Sequence, residues 1–284
     1  MIETKELTDF LKHQIFIAFD TETTGIWAPG NRVVELAAVK FTINLGKIDS
    51  FQSLINPGRE IPEEVIEIHG ITNEDVKDAP LVKPVLKNFI EFCGTDSILI
   101  AHNALFDISF IACELERVNL IFGDNLILDT VDIFQRLYPG LPSYSLLNLV
   151  KRFGISQSQA HRALSDAVFV FLLVRKAVSK FPPIKSIDEL KKSLSVYYMS
   201  DYKIESTALP DDFSDLNYAL KQKLRVEIDY KHPNKPSNIR IIQPRKVYKL
   251  GQYYYINAYC EFVGAERTFR LDRINEYKVL AGLI

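Results

Sequence analysis

Asp20 and Glu22 stand one residue apart at the end of the apolar run in FIAFDTETTG. Side chains two apart on a strand share a face, so both carboxylates point the same way. Two carboxylates this close repel, and one keeps its proton unless a cation sits between them. A hard divalent ion such as Mg2+ takes oxygen ligands of this kind and retains some water. The plain alternative is a pair of turn residues facing solvent. Three further residues bear on the choice. LIAHNALFD places Asp107 just after a strand and near a helix start, where the helix dipole alone would favour an acid. AHRALSDA sets His161 and Asp166 five residues apart, about 500° around a helix, so they cannot share one helical face. Placing His161 on the loop or first turn leaves Asp166 in the helix, facing the acid pair. His161 also has a plain reading, as a helix-start residue without a chemical role.

The elements that must position these residues are legible from pattern. IFIAFD, VVELAAVKFTI and IDSFQSLINP are β-branched and aromatic runs separated by Gly and Pro, and predict three strands. IPEEVIEIHG predicts a short helix stopped by Gly70, with Pro62 near its start. APLVKPVLKNFIEFCG predicts a helix closed by Gly94, and SILIAHN a buried strand. ALFDISFIACELERVN has apolar residues three and four apart and predicts a helix. LILDT is a short strand; YSLLNLVKRFG and HRALSDAVFVFLLVRKAVSK are helices. Three strands followed by alternating strands and helices fit an α/β fold with a mixed sheet flanked by helices. Ligands of such sheets gather at the carboxyl ends of strands, where Asp20 and Glu22 lie.

The ordered set FDTETTG, HGIT, AHNALFD and HRALSDA resembles the DnaQ-like DEDDh 3′–5′ exonucleases, which include the epsilon proofreading subunit of bacterial DNA polymerase III. The resemblance covers about residues 15–180 and implies a ribonuclease H-like fold. It implies that Asp20, Glu22, Asp107 and Asp166 bind two divalent metal ions, Mg2+ or Mn2+, and that His161 is the general base. All five positions match the family pattern. Two such ions serve the attacking water and the leaving 3′-oxygen of a phosphodiester. A histidine, with an ordinary pKa near 6.5, can take the water's proton near neutral pH. Thr23 and Gly25 beside the acids, His69 and Ile71 in IHGIT, and Asn103 and Phe106 before the third acid are expected to hold the terminal nucleotide. Helix C-capping for His69 and a core role for Phe106 are the alternatives.

FPPIKSIDELKKSL breaks the pattern at Pro182 and Pro183. The expected organisation is a nuclease domain over 1–180, a linker over 181–215 with room for one helix and a second domain over 216–284. LRVEIDY, NIRIIQPRKVYKL, QYYYINAYCEF, ERTFRLDRI and EYKVLAGL are short alternating strands, which predict a small antiparallel barrel or sandwich. This pattern resembles a WYL domain, an SH3-like β-barrel, with Tyr254, Tyr255 and Ile256 in the signature position. The resemblance implies a surface that senses a nucleotide ligand or nucleic acid through Tyr255, Tyr259, Arg267, Arg270 and Arg273. Alternatively the tyrosines pack the barrel and the arginines pair with Asp272, Glu266 and Glu261.

Charge separates the two parts. Residues 1–180 carry 17 Lys and Arg against 23 Asp and Glu, and residues 216–284 carry 13 against 6, within a chain of net charge −2. Apolar content of 47% and charged content of 25% are those of a soluble globular protein. No run approaches the ~18 apolar residues of a membrane span. The N-terminus lacks the layout of a signal peptide. Three scattered cysteines suit free thiols in a reducing cytosol, so a cytoplasmic protein is expected. The substrate is expected to be a DNA or RNA 3′ end, DNA favoured, with a polymerase or another replication or repair protein as a candidate partner. An exoribonuclease, or a non-catalytic module that docks to a polymerase, are the competing functions.

Overall fold

A computed structural model describes residues 8–155, 161–202, 205–231, 237–250 and 253–280. The chain divides into two compact units, Met1–Tyr202 and Lys203–Ile284.

The first unit opens with α1 (Asp9–His13), capped by the Thr8 side chain. β1 (Phe16–Thr23), β2 (Val33–Thr42) and β3 (Gly46–Leu54) form an antiparallel meander. The short helices α2 (Glu63–His69) and α3 (Asn73–Val76) follow, then α4 (Val82–Cys93). α4 buries Val82, Val85, Leu86, Phe89 and Cys93, the three-and-four spacing of one helical face. Next come β4 (Ile98–Ala101), α5 (Leu105–Val118), β5 (Ile127–Asp129), α6 (Thr130–Leu137), α7 (Leu146–Arg152) and α8 (Ala163–Ala177). α9 (Ile187–Ser193) and β6 (Val196–Tyr197) complete the unit. The sheet order is β3-β2-β1-β4-β5-β6, with β4 parallel to both β1 and β5. This is the mixed sheet flanked by helices of a ribonuclease H-like fold.

β1 is buried on both faces over its first four residues, as a central strand between helical layers must be. α8 packs across β1 and β2, and Phe41 stacks on Phe16 at 5.4 Å and meets the tilted ring of Phe171 at 4.8 Å. The stretch expected as a linker is built into this unit in part. Ile184, Leu190 and Leu194 enter the same core, and β6 pairs with β5.

In the second unit, α10 (Ser214–Gln222) leads into β8 (Val226–Tyr230), β9 (Asn238–Leu250), β10 (Tyr253–Cys260), β11 (Ala265–Arg270) and β12 (Ile274–Val279). The antiparallel order is β11-β10-β9-β8-β12, and β7 (Glu205–Ser206) pairs with the far end of β9. Among the described residues no pair joins β11 to β12, so the structure shows an antiparallel sheet without a closing ladder. Its core gathers Val226, Ile228, Ile242, Val247, Ile256 and Phe269 under Leu216 and Ala219 of α10. The three cysteines are buried free thiols. Among the described residues, no helix is long and apolar enough to cross a membrane.

Candidate active site

Asp20 and Glu22 end β1, one turn of pleat apart, and Asp166 reaches them from the first turn of α8. One carboxylate oxygen from each lies within 4.8 Å of the other two. Asp107, in the first turn of α5, is 2% exposed. Its Oδ1 accepts hydrogen bonds from the Thr21 N–H at 2.9 Å and the Thr21 hydroxyl at 2.7 Å. This fixes the third acid against the β1 residue between the first two.

The cluster is expensive as bare charge. Burial, then Asp107, Glu22 and Asp166, hold the Asp20 carboxyl well above its ordinary range. Burial and the Asp166 charge push Glu22 up to about 8. Burial takes Asp107 up to about 7 against the Thr21 hydrogen bonds. Asp166 rises to about 6 through burial, partly offset by the neighbouring His161 ring and backbone N–H. The Asp166 Oδ1 is buried without a hydrogen-bond partner, and native buried polar atoms rarely stay so. Four acids, oxygen-only donors and an orphaned oxygen fit hard divalent cations. Asp20, Glu22 and Asp166 would hold one, with Asp107 beside them.

His161 lies just outside α8, exposed, with a left-handed backbone at φ 62°. The other expected contacts divide into two groups. Asn103 is exposed and Phe106 half-buried against Phe110 at 4.9 Å. Thr23, His69 and Ile71 are buried. Ile71 packs with Val34, Ile61 and Val76, and the His69 Nδ1 accepts the Ile71 N–H at 3.0 Å at the end of α2. The His69 Nε2 is buried without a hydrogen-bond partner. At Gly25 an added Cβ would fall 2.7 Å from Asn31 Oδ1, the end of a side chain that also bonds the Trp27 carbonyl. Ile26, next along the chain, is 89% exposed and was not among the sequence candidates.

Three buried carboxylates outside the cluster brace its supports. Glu114 of α5 binds Arg32 at 2.9 Å and Arg117 at 3.1 Å, and Arg117 donates to the Ala28 and Pro29 carbonyls. This fastens the loop after β1. Asp129 accepts from the N–H groups of Asn103, Ala104 and Val131 at 3.0, 3.1 and 2.8 Å. It caps α6 and pins the turn that launches α5, where Asn103 sits at φ 59°. Asp129→Ala leaves three N–H groups without their acceptor, each worth about 1 kcal/mol, so urea unfolding is expected to register a loss of about 2–3 kcal/mol. Glu35 of β2, fully buried, accepts from Arg162, Gln52 and the Ala163 N–H. Burial pushes its carboxyl up, but those hydrogen bonds outweigh burial and hold it below the ordinary range. Sequence pattern missed all three, although the D-T-V start of α6 is an N-cap signal.

In the second unit, Tyr255 and Tyr248 are buried and directly paired across β10 and β9. Arg270 forms a two-pronged ion pair with Asp272 at 2.6 and 2.8 Å. The Arg273 carbonyl accepts from the Lys231 N–H, Arg267 stands across from Ala258, and Tyr259 lies under Arg245 at 5.8 Å.

Comparison with known proteins places both parts. The exonuclease family model matches residues 17–174 and the WYL domain model residues 211–279. The DNA polymerase III PolC-type of Listeria monocytogenes is 38% identical over 178 residues, 63% of this chain and 12% of that protein. The PolC-type of Caldanaerobacter subterraneus subsp. tengcongensis is 30% identical over 260 residues, 87% of this chain and 17% of that protein. The chain thus spans less than a fifth of the length of these relatives. The nuclease domain of 3′hExo, a DEDDh family member bound to rAMP, superimposes with a TM-score of 0.55 at 16% identity, over 63% of this chain and 97% of that one. With the exonuclease model spanning more than half of its length, this chain belongs to the exonuclease family and also carries a WYL domain.

Proposed function

We propose that this exonuclease hydrolyses the 3′-terminal phosphodiester of DNA, single-stranded or frayed, and releases nucleoside 5′-monophosphates. The observation that carries this is the convergence of Asp20, Glu22 and Asp166 within 4.8 Å, with Asp107 behind them. Two divalent ions, Mg2+ or Mn2+, would supply an activated water and relief of charge on the leaving 3′-oxygen. The chain's own residues do the rest. His161, exposed beside Asp166, accepts the proton of the attacking water. Thr21 holds Asp107 in place through two hydrogen bonds. Ile26, an exposed apolar side chain at the end of the acid-bearing strand, is placed to pack on the terminal base. DNA is favoured because the relatives are named as DNA polymerases, and a polymerase is the partner that this suggests.

The WYL domain, whose sheet suits an SH3-like barrel, guides the strand or senses a nucleotide. β9 and β10 carry Lys249 over the half-buried Tyr254 ring at 5.4 Å and Arg245 over the half-buried Tyr259 ring at 5.8 Å. Cations interleaved with rings suit backbone phosphates and stacked bases.

Purified protein with end-labelled DNA and matched RNA in Mg2+ or Mn2+ tests the activity. Loss of single nucleotides from the 3′ end, faster on DNA, is expected. Equal or faster RNA cleavage would move the substrate to RNA, and metal-independent cleavage would end the mechanism. The double charge reversal Arg245→Glu with Lys249→Glu is expected to raise KM for long oligonucleotides. It should also flatten the salt dependence by about 0.7 per lost phosphate contact. kcat on thymidine 5′-(p-nitrophenyl phosphate), which offers a single phosphate and no strand to guide, should not change.

A further inference from the structure

α8 starts without a side-chain cap of its own: Arg162 occupies the cap position and makes no capping bond there. The acceptor comes instead from β2, 128 residues earlier. Glu35 Oε2 takes the Ala163 N–H at 3.0 Å. The same carboxylate takes the Arg162 fork, Nε at 3.1 Å and Nη2 at 2.7 Å, and Gln52 Nε2 at 2.8 Å. Four donors converge on one fully buried carboxylate, and two-pronged Arg–carboxylate pairs fix geometry as well as charge.

The residue before this anchored pair is His161, a non-glycine residue in the left-handed region. Such a conformation costs on the order of 1 kcal/mol and persists only where its surroundings over-determine it. Glu35 stands directly across β1–β2 from Glu22, so the anchor and the acid cluster share one rigid pair of strands. We propose that Glu35 and Arg162 form a clamp that positions His161: by fixing residues 162 and 163 to β2, it holds the imidazole beside Asp166 at the edge of the acid cluster. Both are positioning residues, and the inference rests on His161 acting as the general base.

The test is single-turnover cleavage of a labelled oligonucleotide by the Mn2+-loaded protein between pH 6 and 9, with His161→Ala, Glu35→Gln, their double variant and Arg162→Lys. Glu35→Gln is expected to lower kcat at pH 7 by about 10- to 100-fold, a partial loss that reaches at most the lower end of general-base effects, with KM unchanged within about threefold. Without a positioned base, solvent hydroxide must act, so its rate should keep rising with pH where the wild type levels off. Glu35→Gln combined with His161→Ala should be no slower than His161→Ala alone, because both remove the same function. Mn2+ affinity by electron paramagnetic resonance should stay within about threefold of wild type. Arg162→Lys keeps the charge and loses the fork, and should show the same altered pH profile if Glu35→Gln does not fold. Independent, multiplying losses in the double variant, or a wild-type pH profile in Glu35→Gln or Arg162→Lys, would overturn the clamp and leave His161 as base. Full activity of His161→Ala would remove the general-base reading and the clamp together.

Discussion

Asp20→Asn is expected to abolish hydrolysis while making the metal-free protein more stable. Asp20 sits at the centre of the cluster, and its carboxyl is raised by burial and by every other acid in the group. Asn keeps the shape and one oxygen but offers no charge to a divalent ion. Such ions contribute several kcal/mol of transition-state stabilisation, and each ~1.4 kcal/mol is tenfold in rate. The loss in kcat should therefore be at least about 10^3-fold, read with an oligonucleotide substrate at saturating Mg2+. The same change removes like-charge repulsion that the folded, metal-free chain otherwise carries, as active-site charges commonly trade stability for function. Thermal unfolding in excess chelator should rise by a few degrees. With saturating Mn2+ the order should reverse, because the wild type gains binding energy that the variant cannot. A variant that kept a tenth of the wild-type rate would remove Asp20 from the reaction, and one that was less stable in chelator would contradict the repulsion.

What was legible in advance follows from where each signal resides. Asp20 and Glu22 are local to one strand, and period-two alternation alone puts them on one face. α4, α5 and α8 are long and periodic enough to be read from spacing. The resemblance to the DEDDh exonucleases supplied the ordered acids across the first unit, and the exonuclease model covers the same stretch. The braces were not legible, because each pairs residues remote in sequence: Glu35 with Arg162 at a separation of 127, Arg32 with Glu114 at 82. No local pattern distinguishes such a glutamate from a surface one. α6 was missed because it is eight residues long and follows β5 without a break. A helix was allowed for in the stretch after Pro182 and Pro183, but β6, two residues long, was not legible there, and it pairs with β5. His69 and Ile71 were read as nucleotide contacts from their motif, and a motif shows which residues matter and not how deeply they sit; both side chains are buried.

The metal-free protein should also lose stability as pH rises from about 6.5 to 8, the opposite of a protein held together by ionised carboxylates. Glu22 is raised to about 8 and Asp107 to about 7. A carboxyl raised in the folded state binds its proton there while the unfolded chain has already released it. The slope of stability with pH is set by the protons bound unfolded minus folded, so it is negative across this window. The stabilisation that these groups give is complete below their unfolded values near 4 and is lost as pH passes through 7 and 8. Two other groups act in the opposite direction, but lower on the scale. Burial lowers His102 to about 4 and also lowers His69, which makes stability rise with pH, steeply below about 6.5 and fading by about 7.5 as the unfolded imidazoles finish titrating. Glu35 is held low by its hydrogen bonds and contributes fully throughout the window. The fall above 6.5 therefore belongs to the cluster. Each proton contributes at most about 1.4 kcal/mol per pH unit. With the acids sharing their protons and Glu22 partly exposed, a loss of about 1–2 kcal/mol by pH 8 is expected, a few degrees in Tm. Mn2+ should erase the fall, because an ion that replaces the protons binds best where they have left. The measurement is Tm against pH in chelator and in Mn2+: a metal-free Tm flat or rising from 6.5 to 8, or a Mn2+ shift no larger at pH 8 than at pH 6, would mean that these carboxyls do not share the charge-crowded site that their positions describe.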